Sequence, residues 1–200
     1  PTEDQPFILM YHGTLEARNG LDTAIRAFVL ARAVVPNLRL DIQGGGNHVP
    51  TLKLLAEELG VADSVIFTGS VTVDKLADFV VHGDVGIIPY RSDGFMDIVL
   101  PTKAYEFAWM GRAMIASDTR AMRSMFRPGA VALCHPDQPE TFAEAIIDLY
   151  QHPEKRARMI QAATEDYEAY RWEVMAKLYQ HLLQELLKGA VRGKRAARYA

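Results

Sequence analysis

The chain has 200 residues, 49% hydrophobic and 24% charged, with a net charge of −3, the balance of an ordinary globular protein with one large or two small domains. An acidic balance excludes nucleic acid as the main partner, because phosphate backbones need a basic face. A single cysteine, Cys134, excludes an internal disulfide and a cysteine-based metal cluster, and no apolar run is long enough to span a bilayer, so a soluble protein of a reducing, cytoplasmic compartment is expected.

Residues 1–6 read as a linker remnant, since Pro1, Asp4 and Pro6 precede any apolar run and no initiator methionine is present. From there, strand-sized apolar runs alternate with helical patterns. The runs are residues 7–11, 38–42, 65–67, 85–88, 113–116 and 130–133. Between them Leu21, Ile25 and Phe28, then Leu52, Leu55, Ala56 and Leu59, then Leu76, Phe79 and Val80 recur at helical spacing, each set marking one buried face. Runs without polar alternation are covered on both faces, which predicts a doubly wound parallel α/β sheet with right-handed crossovers. Cys134, at the end of the sixth run, reads as a small buried side chain. Beyond Asp137 only helices are predicted, over residues 140–150, 154–170 and 172–187. The last carries an apolar stripe, Trp172, Met175, Ala176, Tyr179, Leu182, Leu183, Leu186 and Leu187, that calls for a partner surface. Lys188, Arg192, Lys194, Arg195 and Arg198 make residues 188–200 a basic tail, expected to be frayed and solvated, the alternative being contact with an acidic lipid surface or nucleic acid.

In such a sheet, ligands bind beyond the carboxyl ends of the strands. The first strand leads into residues 12–20, where Gly13 permits close backbone approach and Arg18 supplies charge; the alternative is an Asn19-Gly20 turn before a helix. Gly44, Gly45 and Gly46 follow the second strand with the wrong spacing for a dinucleotide fingerprint, so they serve either a ligand or a sharp bend. Gly69, Ser70 and Val71 follow the third, and Thr72 suits an N-cap.

The fourth loop is the most informative. From Tyr90 it passes Asp93, Gly94, Phe95 and Met96 to a short helix beginning near Pro101, with Thr102, Lys103 and Glu106 in its first turns. A helix start favours anions. Lys103 suits a phosphate, and the ionised Glu106, an acceptor only, suits ribose or sugar hydroxyls. The alternative is an i,i+3 surface ion pair worth about 0.2–0.5 kcal/mol. His12, His48, His82, His135, His152 and His181 show no metal-ligand spacing, so no metal is expected, and singly each reads as a surface or capping residue. There is no nucleophile elbow.

The order and spacing of these pieces resemble, across nearly all of residues 7–187, the C-terminal nucleotide-sugar-binding domain of retaining group 1 glycosyltransferases of the GT-B fold. The matching pieces are Tyr11-His12-Gly13-Thr14-Leu15 with Asn19-Gly20-Leu21-Asp22, Leu40-Asp41-Ile42-Gln43-Gly44-Gly45-Gly46, Val65-Ile66-Phe67-Thr68-Gly69-Ser70-Val71 and Asp84-Val85-Gly86-Ile87-Ile88-Pro89. Above all there is Leu100-Pro101-Thr102-Lys103-Ala104-Tyr105-Glu106-Phe107-Ala108-Trp109-Met110-Gly111-Arg112-Ala113-Met114-Ile115-Ala116-Ser117-Asp118.

The resemblance implies a Rossmann-like half of a GT-B enzyme that binds a UDP- or GDP-sugar donor and holds no tight cofactor. Its acceptor half would be a preceding N-terminal domain. Glu106 matches the second glutamate of the family's paired motif, which holds the ribose. The first falls on Ile98, beside Asp97, and the sequence resembles a branch with Pro-x-Lys-x-x-Glu in which Lys103 contacts diphosphate or sugar. The family's basic pair in the first loop falls on Thr14 and Asn19, with Arg18 adjacent. Backbone donors at Gly13, Thr14 and Gly94 to Met96, together with Lys103, would then meet charge on the leaving diphosphate, and Asp93 would orient the sugar. Competing readings are a scaffold of the same fold that has lost transfer and a sugar-nucleotide epimerase-like domain.

Overall fold

The computed structural model describes residues 5–196. Six parallel strands form one sheet in the order β3-β2-β1-β4-β5-β6. They are β1 (Phe7–His12), β2 (Leu38–Gln43), β3 (Val65–Gly69), β4 (Val85–Ile88), β5 (Ala113–Ser117) and β6 (Ala132–Cys134). The helices between them are α1 (Leu21–Arg32), α2 (Val49–Glu58), α3 (Val73–His82), α4 (Thr102–Trp109) and α5 (Arg120–Met125), followed by α6 (Pro139–Gln151), α7 (Pro153–Tyr167) and α8 (Trp172–Ala196). The expected doubly wound sheet is present. Its order reverses between β1 and β4, so their outgoing loops part and leave a crevice.

Alternation along β1 builds a core on each face. Phe7, Leu9 and Tyr11 pack with α1 and α6 residues such as Phe28, Phe142 and Ile146. Met10 points the other way, into a cluster with Phe107 and Ala104 of α4, Ile88 and Met114. His12 is on this second face, with its ring edge-on to Phe107 at 5.1 Å. Gly86 sets how closely α4 approaches: a Cβ there would lie 2.4 Å from Phe107 Cε2, so only a bare backbone lets the ring lie on β4. That contact fixes the face on which Lys103 and Glu106 stand.

The apolar stripe of α8 still calls for a partner surface: it is exposed, from Trp172 at 75% to Leu187 at 66%, because the helix departs after a short turn at Glu168–Tyr170 and nothing among the described residues covers it. The basic tail is helical as far as Ala196 rather than frayed from 188, since Lys, Ala and Arg sustain a helix and no proline stops it. Residues 197–200, and residues 1–4 of the expected linker, lie outside the described residues. No described helix is long and apolar enough to cross a membrane.

Candidate functional site

The crevice at the reversal point holds two clefts that share the wall His12-Gly13-Thr14. One, of about 260 Å³, opens between the loops after β1, β2 and β3 and is also lined by Gln43, Gly44, Gly45, Ser70 and Val71. The other, of about 450 Å³, lies between β1 and α4 and is lined by Arg18, Asn19, Tyr90, Phe95, Met96, Thr102, Lys103 and Glu106.

Lys103 is the electrostatic centre of the larger cleft. It is only 7% exposed, with Nζ 3.1 Å from the Tyr90 hydroxyl and 3.5 Å from that of Tyr11. It also lies 4.7 Å and 5.0 Å from the centroids of the Tyr11 and Tyr90 rings. Burial lowers its pKa to about 8, partly opposed by the Glu106 charge. Burial likewise pushes Tyr90 up to about 12 and Tyr11 higher, so both stay neutral hydroxyls that accept from the ammonium. Gly13 faces it at φ +125°, a backbone conformation that a side chain would strain, although a Cβ there would make only an ordinary contact, 3.4 Å from Lys103 Cε. This is no surface ion pair, because the ammonium is packed between aromatic faces inside a cleft.

Glu106 is half-buried, and burial raises its pKa against the pull of Lys103. Its Oε2 lies 3.2 Å from His12 Nε2, at an angle that leaves both buried atoms without a hydrogen-bond partner. His12 is 5% exposed. Desolvation and the Lys103 charge hold its pKa down to about 4, so it is neutral. A lone histidine carries no signal in the sequence, where it reads as a surface or cap residue. Only the register of β1 with β2, which places it opposite Gln43, and the packing of α4 bring it here.

Other expected residues are placed differently. Asp93 Oδ1 accepts the amides of Phe95 at 2.9 Å and Met96 at 2.6 Å, so those two donors are spent inside their own loop and Asp93 lines neither cleft. Gly94 is likewise outside both. Asn19 Oδ1 accepts the Glu16 amide at 3.2 Å and shapes its turn while also lining the larger cleft. Gly46, at φ +156°, packs against the Leu15 carbonyl, where a Cβ would come within 2.3 Å, and Gly69 O accepts the Gly44 amide at 2.9 Å. Gly46 and Gly69 thus serve loop packing and line neither cleft, whereas Gly44 lines the smaller one. Asp97 accepts the Arg120 amide at 2.8 Å and pairs with its guanidinium, which holds its carboxyl below the usual range. It is therefore committed elsewhere, and Ile98 beside it is 60% exposed.

Arg91 is a second residue with no sequence signal. Its guanidinium reaches the Ala17 carbonyl at 2.9 Å, Asp22 at 2.7 Å and Asp137 at 3.0 Å, while its amide donates to Arg18 O at 3.1 Å. One side chain thus ties the Arg18 loop to two others. Among the described residues no cluster of His, Cys, Asp and Glu could hold a metal. Cys134 is buried and its thiol pushed up to about 12, as befits an inert core residue.

The chain is similar to known proteins in sequence and in fold. The chain is 36% identical over 91 residues to a GDP-mannose-dependent α-(1-6)-phosphatidylinositol monomannoside mannosyltransferase of Mycolicibacterium smegmatis, covering 46% of this chain and 24% of the relative. It is 28% identical over 176 residues to a D-inositol 3-phosphate glycosyltransferase of Acidothermus cellulolyticus, covering 83% of this chain and 38% of the relative. It therefore spans well under half of either relative. Anabaena HepE, solved in complex with UDP-glucose, shares the fold at a TM-score of 0.79 with 16% identity, over 92% of this chain and 49% of that one. Residues 1–166 match the model of the glycosyl transferases group 1, and the chain belongs to that family.

Proposed function

We infer that this chain is the donor-binding half of a glycosyltransferase that moves a hexosyl group from a UDP- or GDP-sugar to an acceptor, with retention. The observation that carries this reading is a cation buried in a cleft beside a carboxylate at the reversal point of the sheet: Lys103 and Glu106 lie one turn apart on α4, facing the same space. In this reading Glu106 accepts the ribose hydroxyls, Lys103 meets the diphosphate, and the smaller cleft takes the base. Breaking the bond between sugar and diphosphate leaves its electron pair on a phosphate oxygen. A preorganised ammonium stabilises that charge more in the transition state than in the ground state.

The acceptor side belongs to an N-terminal domain. This follows from the family resemblance, and the chain spans only part of the relatives named above. Cytoplasmic residence is part of the same proposal. A second reading, a binding module of this fold that has lost transfer, is favoured by one feature: Ile98 replaces the motif's first glutamate while Asp97 is engaged by Arg120.

Calorimetry with UDP, GDP, ADP and their sugars tests the donor assignment. Glu106→Gln is expected to weaken the diphosphate that binds by roughly ten- to hundredfold with the thermal midpoint unchanged, since a charged acceptor hydrogen bond is worth about 1.5–3 kcal/mol. Unchanged affinity would remove Glu106 from the site. With a labelled donor and a broad acceptor panel, the 200-residue chain alone is expected to release no glycosylated product, because orientation and exclusion of water need a closed cleft. Robust turnover would contradict the half-enzyme reading.

A further inference from the structure

We propose that His12 is a positioning residue, whose Nε2–H holds Oε2 of Glu106 so that the other carboxylate oxygen is left to receive the vicinal hydroxyls of the donor's ribose. The proposal rests on the donor-binding reading above and adds to it the residue that orients the carboxylate.

Three observations carry it. His12 Nε2 and Glu106 Oε2 are 3.2 Å apart, both shielded from solvent and both otherwise without a partner. A buried polar atom left unpaired is costly, and here each is the group the other needs; a small rotation of the carboxylate closes the bond. The imidazole is itself fixed, edge-on against Phe107, which neighbours Glu106 on α4, so ring and carboxylate are mounted on one rigid contact. Its position at the end of β1 lines both clefts, so it stands where the base-side and phosphate-side halves of a nucleotide would meet.

The charges around the pair agree. A neutral imidazole has one N–H to give; burial and the Lys103 ammonium both disfavour a positive charge on His12, and the same ammonium opposes the burial that raises the Glu106 pKa. A carboxylate free to swing would meet the two ribose oxygens in many orientations, whereas one oxygen pinned by a buried donor presents the other in a single geometry.

The test uses the nucleoside diphosphate that the wild-type chain binds, taken from UDP, GDP and ADP, together with its 2′,3′-dideoxy analogue. His12→Phe, which keeps a ring against Phe107 without the donor, is expected to weaken the ribonucleotide roughly tenfold and the dideoxy analogue less than about twofold. His12→Gln, whose amide reaches about as far as Nε2, is expected to recover most of that loss. In the Glu106→Gln background the His12→Phe change is expected to add less than about twofold, because there is no carboxylate left to orient. An equal loss for both ligands, or none, would overturn the proposal and leave the donor reading intact. Absence of binding of all three diphosphates to the wild type would overturn both. Independently of how well the variants fold, ¹⁵N-histidine NMR of the wild type at neutral pH is expected to show His12 as the Nε2–H tautomer, with an Nε2 resonance that shifts in Glu106→Gln. An Nδ1–H tautomer would rule the assignment out.

Discussion

Lys103→Met is expected to do two opposite things: weaken nucleoside diphosphate binding ten- to hundredfold and raise the thermal midpoint by about 5 °C. The binding loss is that of one charge-assisted contact, about 1.5–3 kcal/mol. The stability gain follows from linkage. The ammonium titrates near 8 in the folded chain against an ordinary 10.5, so holding it charged in the fold costs roughly 3 kcal/mol. Losing its contacts with the two tyrosine rings returns about 1 kcal/mol of that. The remaining ~2 kcal/mol moves the midpoint of a chain this size by several degrees.

The sign fixes the pH window. Between about 8 and 10.5 the unfolded chain holds the proton and the folded one has lost it, so wild-type stability rises with pH across that interval. The advantage of methionine is therefore full below pH 8 and gone by about 10.5. Binding runs the other way. Above pH 8 the free wild-type site must take up a proton to meet a diphosphate, so its affinity is expected to fall by up to tenfold per pH unit, while the methionine variant stays flat. Calorimetry and thermal scans at pH 7 and pH 9.5 measure both. A variant that is less stable at pH 7, or that binds diphosphate as well as the wild type, would place Lys103 outside the electrostatics described.

Gly44→Ala is expected to lower the midpoint by at least about 10 °C or to leave no folded chain. Gly44 sits at φ +139°, and a Cβ there would lie 1.8 Å from the Gly13 carbonyl oxygen, a backbone atom that cannot swing aside. The approach is shared by the whole loop pair: Gly13 N donates to Gln43 O at 3.0 Å and Leu15 N to Gly45 O at 2.9 Å. Strained backbone alone costs about 1–3 kcal/mol, and the collision adds to it. Gly60→Ala is the control. It has φ +68° but open space around it, so it registers conformational strain without collision, about 1 kcal/mol, or two to four degrees. Equal effects at the two positions would mean that the contact between the first two loops does not matter to the fold.

The sheet is legible in the sequence because most of its strands are short apolar runs, which an element covered on both faces buries; β2 is the exception, alternating as Leu38-Arg39-Leu40-Asp41-Ile42-Gln43 with Arg39 and Asp41 paired to each other. Lys103 and Glu106 are legible for a different reason, since a cation and an anion at the start of a helix after a strand is a pattern that local sequence carries. His12 and Arg91 are not. Their roles depend on partners 94 and 46 to 74 residues away, and a single side chain gives no hint of which strand register or loop will meet it. The engagement of Asp93 within its own turn is not legible either, because an acidic residue before two amides suits a ligand and a turn equally. The α8 stripe is correctly legible as apolar, but periodicity states that a face is hydrophobic without stating what lies against it.

The wall shared by the two clefts has a consequence for how tightly anything can be held. In the donor reading, a base filling the smaller side and a ribose diphosphate filling the larger each meet only half of the surface, and each alone gives up most of its gain to lost translational freedom. Joined by one glycosidic bond across His12-Gly13-Thr14, they lose that freedom once, and the second half arrives at an effective concentration in the millimolar range or above. Tight holding is then a property of the intact molecule, and cleavage anywhere along it lets both pieces go.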